Sequence, residues 1–241
     1  MLKLMRNKKV TKFVLWGTLI LILPAFVIWG AGSIGKSKEK GPTYAGLIDG
    51  KKISFDDFAG SLGAVRCQIF LNYFSQPQVL DAIMKNKEFS GKLAWDMLVM
   101  SREAKKRKIK VSDAEVITFI QGHPLFSRGG KFDDRIYEYI LRNNLSVYPR
   151  SFEEIVRNNL AVQKMNNTLT KDIKVTDEEI LDRYKIDNKD FDEEKFKKEK
   201  DEYSRKALDA KKNKYLEDWL RGLESNTKLL IDLKDYEKYY R

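Results

Sequence analysis

The sequence predicts a mainly α-helical protein, in which an N-terminal transmembrane helix is followed by a helical domain with a small β-sheet formed by its N- and C-terminal strands. Three observations predict this fold class: an uncharged apolar run, a series of helix-start motifs, and two strand patterns near the ends of the remaining chain. The 241 residues suffice for one ordinary domain or two small ones. The hydrophobic share of 42% allows a packed core, and the charged share of 34% favours long solvated helices.

The N-terminal apolar run has the length and the flanks of a membrane-spanning helix. Residues 13–31 carry no charged side chain, and at about 1.5 Å per residue they cross nearly the whole hydrocarbon core. The tail at 1–12 holds five basic residues and no acid, so the positive-inside rule predicts that it is cytoplasmic and that the chain after residue 34 is not. We therefore expect a single-pass anchor at 13–33. Phe13 begins this anchor, and Trp16 and Trp29 are expected at its two interfaces. Pro24 is expected to kink the helix, which a membrane-embedded helix tolerates.

A cleaved signal peptide is the alternative interpretation of this segment. The tripeptide Ala-Gly-Ser at 31–33 could serve as a cleavage site. The apolar run is longer than the roughly 7–15 residues typical of a signal peptide, and no lipid-attachment cysteine follows it. These features favour an uncleaved anchor, with the polar residues 34–43 as a linker to an outer domain.

The net charge of +11 is concentrated in the N-terminal tail and in the segment Arg102–Lys110, REAKKRKIK. This segment holds six basic residues against one acid, Glu103. Because it ends a predicted helix, we interpret it as favourable charge beside the negative helix C-terminus; a binding surface for acidic lipids or RNA is the alternative. Nucleic-acid binders more often show basic stripes with interleaved aromatic residues, which this segment lacks, so no nucleic-acid partner is predicted.

Two strand patterns lie at the ends of the predicted outer domain. Residues 44–54 form a predicted hairpin, since apolar residues flank an Asp-Gly pair of the kind favoured in type I′ turns. Residues 227–233, TKLLIDL, are the other strong strand pattern. A lone hairpin is marginally stable, so we expect these segments to pair in one sheet. The outer domain would then span 44–233, with 234–241 as a tail.

Capping-box motifs predict where four helices begin. In each, a serine or threonine is followed three residues later by an acid, and the two side chains satisfy free backbone donors at the helix start. A charged segment with a narrow apolar stripe also predicts a long C-terminal helix, docked along one face or projecting outward. The four caps are Ser54, Ser112, Ser151 and Thr176. The predicted helices cover about 55–74, 91–107, a short segment after 112, 151–169, 176–185 and 193–224.

His123, the only histidine, lies in the segment GHPLFSRGGKF and raises the question of a catalytic loop. Structural explanations suffice: Pro124 biases the preceding residue to extended backbone, two adjacent glycines turn the chain, and Asp133 caps the next helix. Cys67, the only cysteine, lies at helical spacing with apolar residues and is interpreted as a small buried side chain. Since neither residue has a partner of its own kind, the sequence predicts a packed corner, no metal, no cofactor and no enzyme activity.

Three segments of this sequence occur together in a known family. They are AGLIDGKKISFDDF at 45–58, the corner segment, and KVTDEEILDRYK at 174–185. The corner fits the spacing I-x-x-x-P-x-F-x-x-x-G-x-F-D-x-x-x-Y through Pro124, Phe126, Gly130, Phe132, Asp133 and Tyr137. With the anchor, these segments resemble the SurA/PpiD family of periplasmic chaperones, over about residues 10–185 and more weakly over 205–233. The anchor resembles the membrane-bound members rather than the soluble ones.

The resemblance implies a chaperone domain in the periplasm, tethered to a bacterial inner membrane. Members of the family usually carry a parvulin-type prolyl isomerase domain, with paired histidines, after the VTDEEI segment. Here only a short hinge separates that segment from the long charged helix, and the chain holds a single histidine. The isomerase domain therefore looks absent, and its activity is not carried over.

The resemblance also implies binding of unfolded or newly translocated polypeptides, including secreted and outer-membrane proteins, without ATP and near the export translocon. The alternatives are an adaptor subunit that binds one fixed envelope partner and a degenerate isomerase. Binding would use an apolar cradle between helices, in which Met and aromatic side chains accept varied sequences. Candidate cradle residues, many of which also suit a core, are Phe70, Tyr73, Phe74, Met97, Phe119, Leu125, Phe126, Tyr137 and Phe152.

Overall fold

The computed structural model of the chain describes residues 42–188 and 192–239. The predicted tail 1–12, most of the predicted linker, and the predicted anchor 13–33 lie outside these residues. Within the described part, no helix combines the length and the apolar character needed to cross a membrane. The anchor residues outside the described part are Phe13, Trp16, Pro24 and Trp29.

Most of the described residues are helical, as predicted. The α-helices are α1 (Phe55–Tyr73), α2 (Pro77–Lys85), α3 (Lys87–Lys106), α4 (Asp113–Gly122), α5 (Asp134–Ile140), α6 (Pro149–Thr170), α7 (Asp177–Asp187) and α8 (Glu193–Glu224). The strands are β1 (Gly46–Ile48), β2 (Lys51–Ile53), β3 (Ser127–Arg128), β4 (Lys131–Phe132) and β5 (Thr227–Leu229). Single turns of 3₁₀-helix lie at Pro124–Phe126 and Tyr236–Tyr239, and a π-helical turn lies at Leu141–Leu145.

Strand β1 is the centre of a three-stranded sheet, antiparallel to both β2 and β5. Gly46 lies opposite Ile53 on one side and Leu229 on the other. This pairing confirms the prediction that the two ends of the domain meet in one sheet. Strand β5 is shorter than the predicted 227–233, because β1 offers it only three residues to pair with. Beyond β5, the side chain of Ile231 turns into the core.

Gly46 lets the neighbouring elements approach β1 closely. A Cβ atom at this position would lie 2.5 Å from the carbonyl oxygen of Lys228 on β5 and 2.5 Å from the ring of Trp95 on α3. Asp49 and Gly50 make the hairpin turn with φ angles of 49° and 72°, the left-handed backbone that a type I′ turn requires. The sheet is therefore shaped by short local signals that the sequence displays.

Three of the four predicted capping boxes are present, at Ser54, Ser112 and Thr176. In each, the hydroxyl accepts a hydrogen bond from the backbone N–H three residues later, at 3.0, 3.4 and 3.2 Å. The prediction for Ser151 is wrong, since α6 begins two residues earlier at Pro149. Proline at the first helical position already has the helical φ, so this helix starts without a side-chain cap.

Helix α3 also begins earlier than predicted, at Lys87 instead of residue 91, and the separate helix α2 precedes it. The Oδ1 atom of Asn86 accepts a hydrogen bond from the backbone N–H of Phe89 at 3.0 Å and caps the helix. Asn86 is followed three residues later by a phenylalanine instead of an acid, so it does not form a capping box and does not mark this helix start in the sequence. The earlier start places Phe89 in the first turn of α3.

The segment around His123 forms a packed corner, as predicted. The Nδ1 atom of His123 accepts a hydrogen bond from the backbone N–H of Leu125 at 3.3 Å, and burial lowers the pKa of this histidine. Its ring lies 5.5–6.0 Å from the rings of Phe74, Phe119 and Phe126. The imidazole therefore acts as a neutral acceptor inside an aromatic cluster.

After the corner, Gly129 and Gly130 turn the chain between β3 and β4 with φ angles of 57° and 78°. The glycine pair predicts this turn, but no sequence pattern predicts the strands, which have only two residues each. Asp133 caps α5 as predicted, with its Oδ1 accepting from the backbone N–H of Arg135 and Ile136 at 2.9 and 3.2 Å.

Two large apolar clusters hold the domain together. The sheet-side core lies between the three-stranded sheet, the first half of α1 and α3. Tyr236 belongs to it, with 1% of its surface exposed and its ring edge-on to Phe58 at 5.9 Å. The chain beyond the predicted domain end at 233 thus contributes to the core instead of forming a tail.

The corner core joins the second half of α1 to α4, α5 and α6. Phe126 and Phe152 have no exposed surface and pack in an edge-to-face pair at 5.7 Å. Tyr137 contacts both rings, at 5.2 and 6.0 Å. The three aromatic side chains fix the corner against α6.

Helix α7 packs mainly on the first half of α8, through Tyr184 against Tyr203 and Phe196 at 4.9 and 5.1 Å. The second half of α8 packs on α3 and α6, where Trp219 lies against buried residues of both helices. The long helix is therefore docked on the body of the domain through its C-terminal half.

Candidate polypeptide-binding groove

Two adjoining depressions form one apolar groove on the helical surface. The first, of about 370 Å³, lies between α1, α2, α3 and the end of α8. The second, of about 350 Å³, lies between α1, α3, α4 and α6. Four residues line both depressions: Gln68, Asn72, Met97 and Met100. Each depression alone falls near the lower end of the 300–1,000 Å³ range of small-ligand sites.

Helix α3 supplies the apolar floor of the groove. Phe89, Leu93, Met97 and Met100 all line it, at spacings of four, four and three residues, which places them along one stripe of the helix. A different set of α3 residues, including Trp95 and Val99, is buried in the sheet-side core. The helix thus has more apolar surface than the core covers, and the excess remains half exposed in the groove.

The side chains of the groove are adaptable or exposed. Methionine has three rotatable bonds and a polarizable sulfur, so Met97 and Met100 can repack around different shapes. Phe89 is 47% exposed in the first depression and Phe119 is 38% exposed in the second. Single exposed apolar residues are ordinary, but exposed aromatic rings beside a continuous apolar depression mark a binding surface.

The polar lining of the groove consists almost entirely of amides. Each carboxamide offers donors and an acceptor, which match the C=O and N–H groups of an extended polypeptide backbone. Such lining gives hydrogen bonds without selecting a side-chain sequence. The amide residues are Gln68, Asn72, Asn159, Gln163 and Asn166.

Asp96 is the one charged side chain among the described residues that line the groove. Lys92 bonds both Asp96 and Glu224, and so joins α3 to the end of α8. Burial raises the pKa of Asp96 to about 6, and the neighbouring Glu224 adds to this effect against the opposing influence of Lys92. The pKa of Glu224 is lowered. Burial acts to raise it, but hydrogen bonds with Lys92 and Asp96 outweigh burial. The pair thus favours one shared proton near Asp96.

Replacing Asp96 by asparagine is expected to change how stability depends on pH. The folded pKa of about 6 lies above the ordinary 3.8, so folding favours the protonated carboxyl. This contribution is fully present below pH 3.8 and is lost as the pH rises through about 6. The pKa of Glu224 is lowered, so its contribution to stability changes with pH in the opposite direction. Relative to wild type, Asp96→Asn should therefore gain at most about 3 kcal/mol in free energy of unfolding between pH 4 and pH 8.

Urea unfolding across this pH range measures the effect. Asp81→Asn is the matched control, because Asp81 forms an exposed i,i+4 pair with Lys85 on α2. The control should change the free energy of unfolding by less than about 0.5 kcal/mol throughout. A parallel pH profile for Asp96→Asn and wild type would contradict the buried character of this carboxyl.

The structure places the predicted cradle residues in three settings. Tyr73, Met97 and Phe119 line the groove. Phe74 lies beside the His123 ring. The others belong to the corner core, and a bound chain could not reach Phe126 or Phe152 in this conformation because neither is exposed. These core residues are Phe70, Leu125, Phe126, Tyr137 and Phe152. Contact of any candidate with a polypeptide stays a prediction.

Sequence reasoning missed Phe89, Leu93, Met100 and the amides. The signal for the first three was present as a helical stripe continuous with Met97. Phe89 was left out because the helix was predicted to start only at residue 91, whereas Leu93 and Met100 lie inside the predicted helix and were not assigned to the cradle. The amides recur at helical spacing on α1 and α6, but a polar stripe on a helix is more often a solvated face, and its place in a groove depends on how the helices meet.

Other reactive groups do not form a site in the described part of the chain. Cys67 is 2% exposed, and burial raises the pKa of its thiol to about 11, so the reactive thiolate is disfavoured. Among the described residues, no group of three or more histidine, cysteine or acidic side chains is arranged to hold a metal ion.

Comparison with known proteins gives a family match that spans more than half of the chain. The model of the SurA-like N-terminal domain matches residues 1–166. The periplasmic chaperone PpiD of Haemophilus influenzae is 30% identical over 146 residues, which cover 57% of this chain and 22% of that protein. The match thus spans about a fifth of the length of this relative. No solved structure matches the chain. The chain belongs to the family of proteins with a SurA-like N-terminal domain.

Proposed function

We propose that this protein is a periplasmic chaperone that holds unfolded or newly translocated polypeptides in the apolar groove. The composition of the groove is the observation that carries the proposal: an apolar floor, two exposed phenylalanines and five amides. Family membership and the periplasmic chaperone among its relatives support it. Secreted and outer-membrane proteins in transit are the expected clients.

The groove would bind its clients weakly and with little sequence selection. Apolar side chains of a client leave water at about 25 cal/mol per Å², while its backbone finds amide partners in place of water. Ordering an unfolded chain opposes this gain, so binding is reversible without an energy source. ATP is therefore not required by the proposed mechanism.

Membrane anchoring is part of the proposal. The uncharged run 13–31 and the basic tail before it support an inner-membrane anchor with the domain on the periplasmic side. Such a tether would keep the groove close to the membrane at which exported chains emerge. The export translocon is accordingly a proposed neighbour.

We also propose that this chain works without prolyl isomerase activity. Helix α7 ends at Asp187 and α8 begins at Glu193, so only a short connection lies where the resemblance places an isomerase domain. The single histidine, His123, serves the corner through its bond to Leu125. A proline-peptide isomerisation assay with the full chain should give no rate above background.

An aggregation assay tests the holding function. Full-length protein should suppress aggregation of several unrelated unfolded proteins, and Phe89→Ser with Phe119→Ser should weaken client binding at least about tenfold. Both rings are partly exposed, so the double variant should remain folded. Tyr139→Ser with Tyr215→Ser is the matched control, since these rings are 64% and 44% exposed and do not line the groove.

The outcomes separate the alternatives. Unchanged binding by the groove variant would exclude the groove as the client site. An equal loss in both variants would point to general surface hydrophobicity. A chain that binds one envelope protein tightly but suppresses no unrelated aggregation would be an adaptor subunit.

A further inference from the structure

A second surface of the domain has the opposite character to the groove. A depression of about 870 Å³ lies between the turn of the β1–β2 hairpin and the C-terminal half of α3. Lys51 faces it from the hairpin, and Arg102, Lys105 and Lys106 face it from α3. The α3 residues recur at helical spacing, so their side chains converge on one stripe. We call this surface the basic depression.

The positive charge of the basic depression is largely uncompensated. Among the described residues, Lys51, Arg102 and Lys105 have no ion-pair partner, and Lys106 has a distant one, at 3.7 Å, with its side chain 69% exposed. Two carboxylates also line the surface, Asp49 and Asp57.

One of these two carboxylates already has a structural role. Asp57 Oδ2 accepts a hydrogen bond from the backbone N–H of Ser54 at 3.3 Å, as part of the capping box of α1. Four bases thus face two acids, which leaves an excess of two positive charges. The surface therefore attracts anions.

We propose that the basic depression docks on anionic phospholipid headgroups of the membrane that holds the chain. The proposal rests on the anchoring proposed above. The predicted linker 34–43 can span at most about 36 Å when fully extended, so the domain stays within that distance of the membrane. The hairpin that forms one wall of the depression begins at Gly46, directly after this linker. Each basic side chain near an anionic surface strengthens attraction about fivefold.

Docking would also orient the groove. Helix α3 carries both surfaces, with Met97 and Met100 in the groove and Arg102 and Lys105 in the basic depression. A docked depression therefore fixes the direction of α3, and with it the direction in which the groove faces relative to the membrane.

Lysine acetylation by a membrane-impermeant reagent, read by mass spectrometry, tests the proposal. Full-length protein is reconstituted in vesicles of phosphatidylcholine alone or mixed with phosphatidylglycerol. Modification of Lys51 and Lys105, relative to exposed Lys214 on α8, should fall several-fold in the anionic vesicles. In 1 M salt, where the screening length is about 3 Å, the protection should disappear.

Charge-reversal variants supply the controls. Arg102→Glu with Lys106→Glu should remove the protection of Lys105. Lys212→Glu with Lys214→Glu should retain it, with exposed Lys197 as the reference.

Equal modification in both kinds of vesicle would overturn the proposal. Equal protection by inorganic phosphate, an acidic peptide or RNA added to phosphatidylcholine vesicles would overturn the lipid assignment. Release of the protein from the vesicles by alkaline carbonate would contradict the anchor. This result separates a failure of the anchoring proposal from a failure of the docking proposal.

Discussion

Shortening Phe126 or Phe152 to alanine is expected to lower the free energy of unfolding by about 3–5 kcal/mol. Both side chains are fully buried, and their rings form an edge-to-face pair at 5.7 Å in the corner core. Each substitution removes apolar surface from the core and leaves a cavity that rigid neighbours cannot fill. Urea unfolding followed by circular dichroism measures the loss.

Phe119→Ala is the matched control for these two substitutions. Phe119 lies beside the same corner, 6.0 Å from the His123 ring, but 38% of it is exposed. The control should lower the free energy of unfolding by no more than about 1–2 kcal/mol. Costs of similar size at all three positions would mean that the corner is not packed as described.

Ending the chain after Asn226 is expected to abolish cooperative folding of the domain. The truncation removes β5, which pairs along all of β1, and the buried side chains of Ile231 and Tyr236. Losing two large core side chains costs about 5 kcal/mol or more, which reaches the whole stability of many domains. The near-ultraviolet circular dichroism and the sharp thermal transition of the full chain should both be lost.

Tyr236→Phe is the conservative control for the truncation. It keeps the ring that packs on Phe58 and removes the hydroxyl that Arg66 contacts at 3.4 Å. The expected loss is about 1 kcal/mol, with cooperative unfolding retained. A cooperative transition in the truncated chain would show that the sheet-side core does not depend on the C-terminal segment.

Local signals in the sequence predicted much of the fold. Ser54, Ser112 and Thr176 mark helix starts because a capping box is satisfied within four residues, whatever packs around it. The long helix α8 was predicted with its bounds. The pairing of the two ends followed from a thermodynamic argument, that a lone hairpin is marginally stable and needs a further strand.

Burial could not be predicted in the same way. Phe119, Phe126 and Phe152 look alike in the sequence, yet the first is 38% exposed and the other two are fully buried. The difference arises from how α4 and α6 meet, which is a tertiary property. The groove was predicted as a kind of surface, but only Tyr73, Met97 and Phe119 of its lining were named. Its amides became apparent only when the helices were placed together. Phe89 was left out because the predicted helix began two residues after it.

The pairing of β1 with β5 bears on the order in which the chain is made. Ribosomes deliver residues 46–53 well before residues 227–229, so β1 has no second neighbour until the intervening helices have been made. During that interval β1 has an open edge of unpaired backbone groups, the kind of edge that recruits foreign strands. A protein proposed to guard immature polypeptides would thus pass through a stage in which it needs such protection itself.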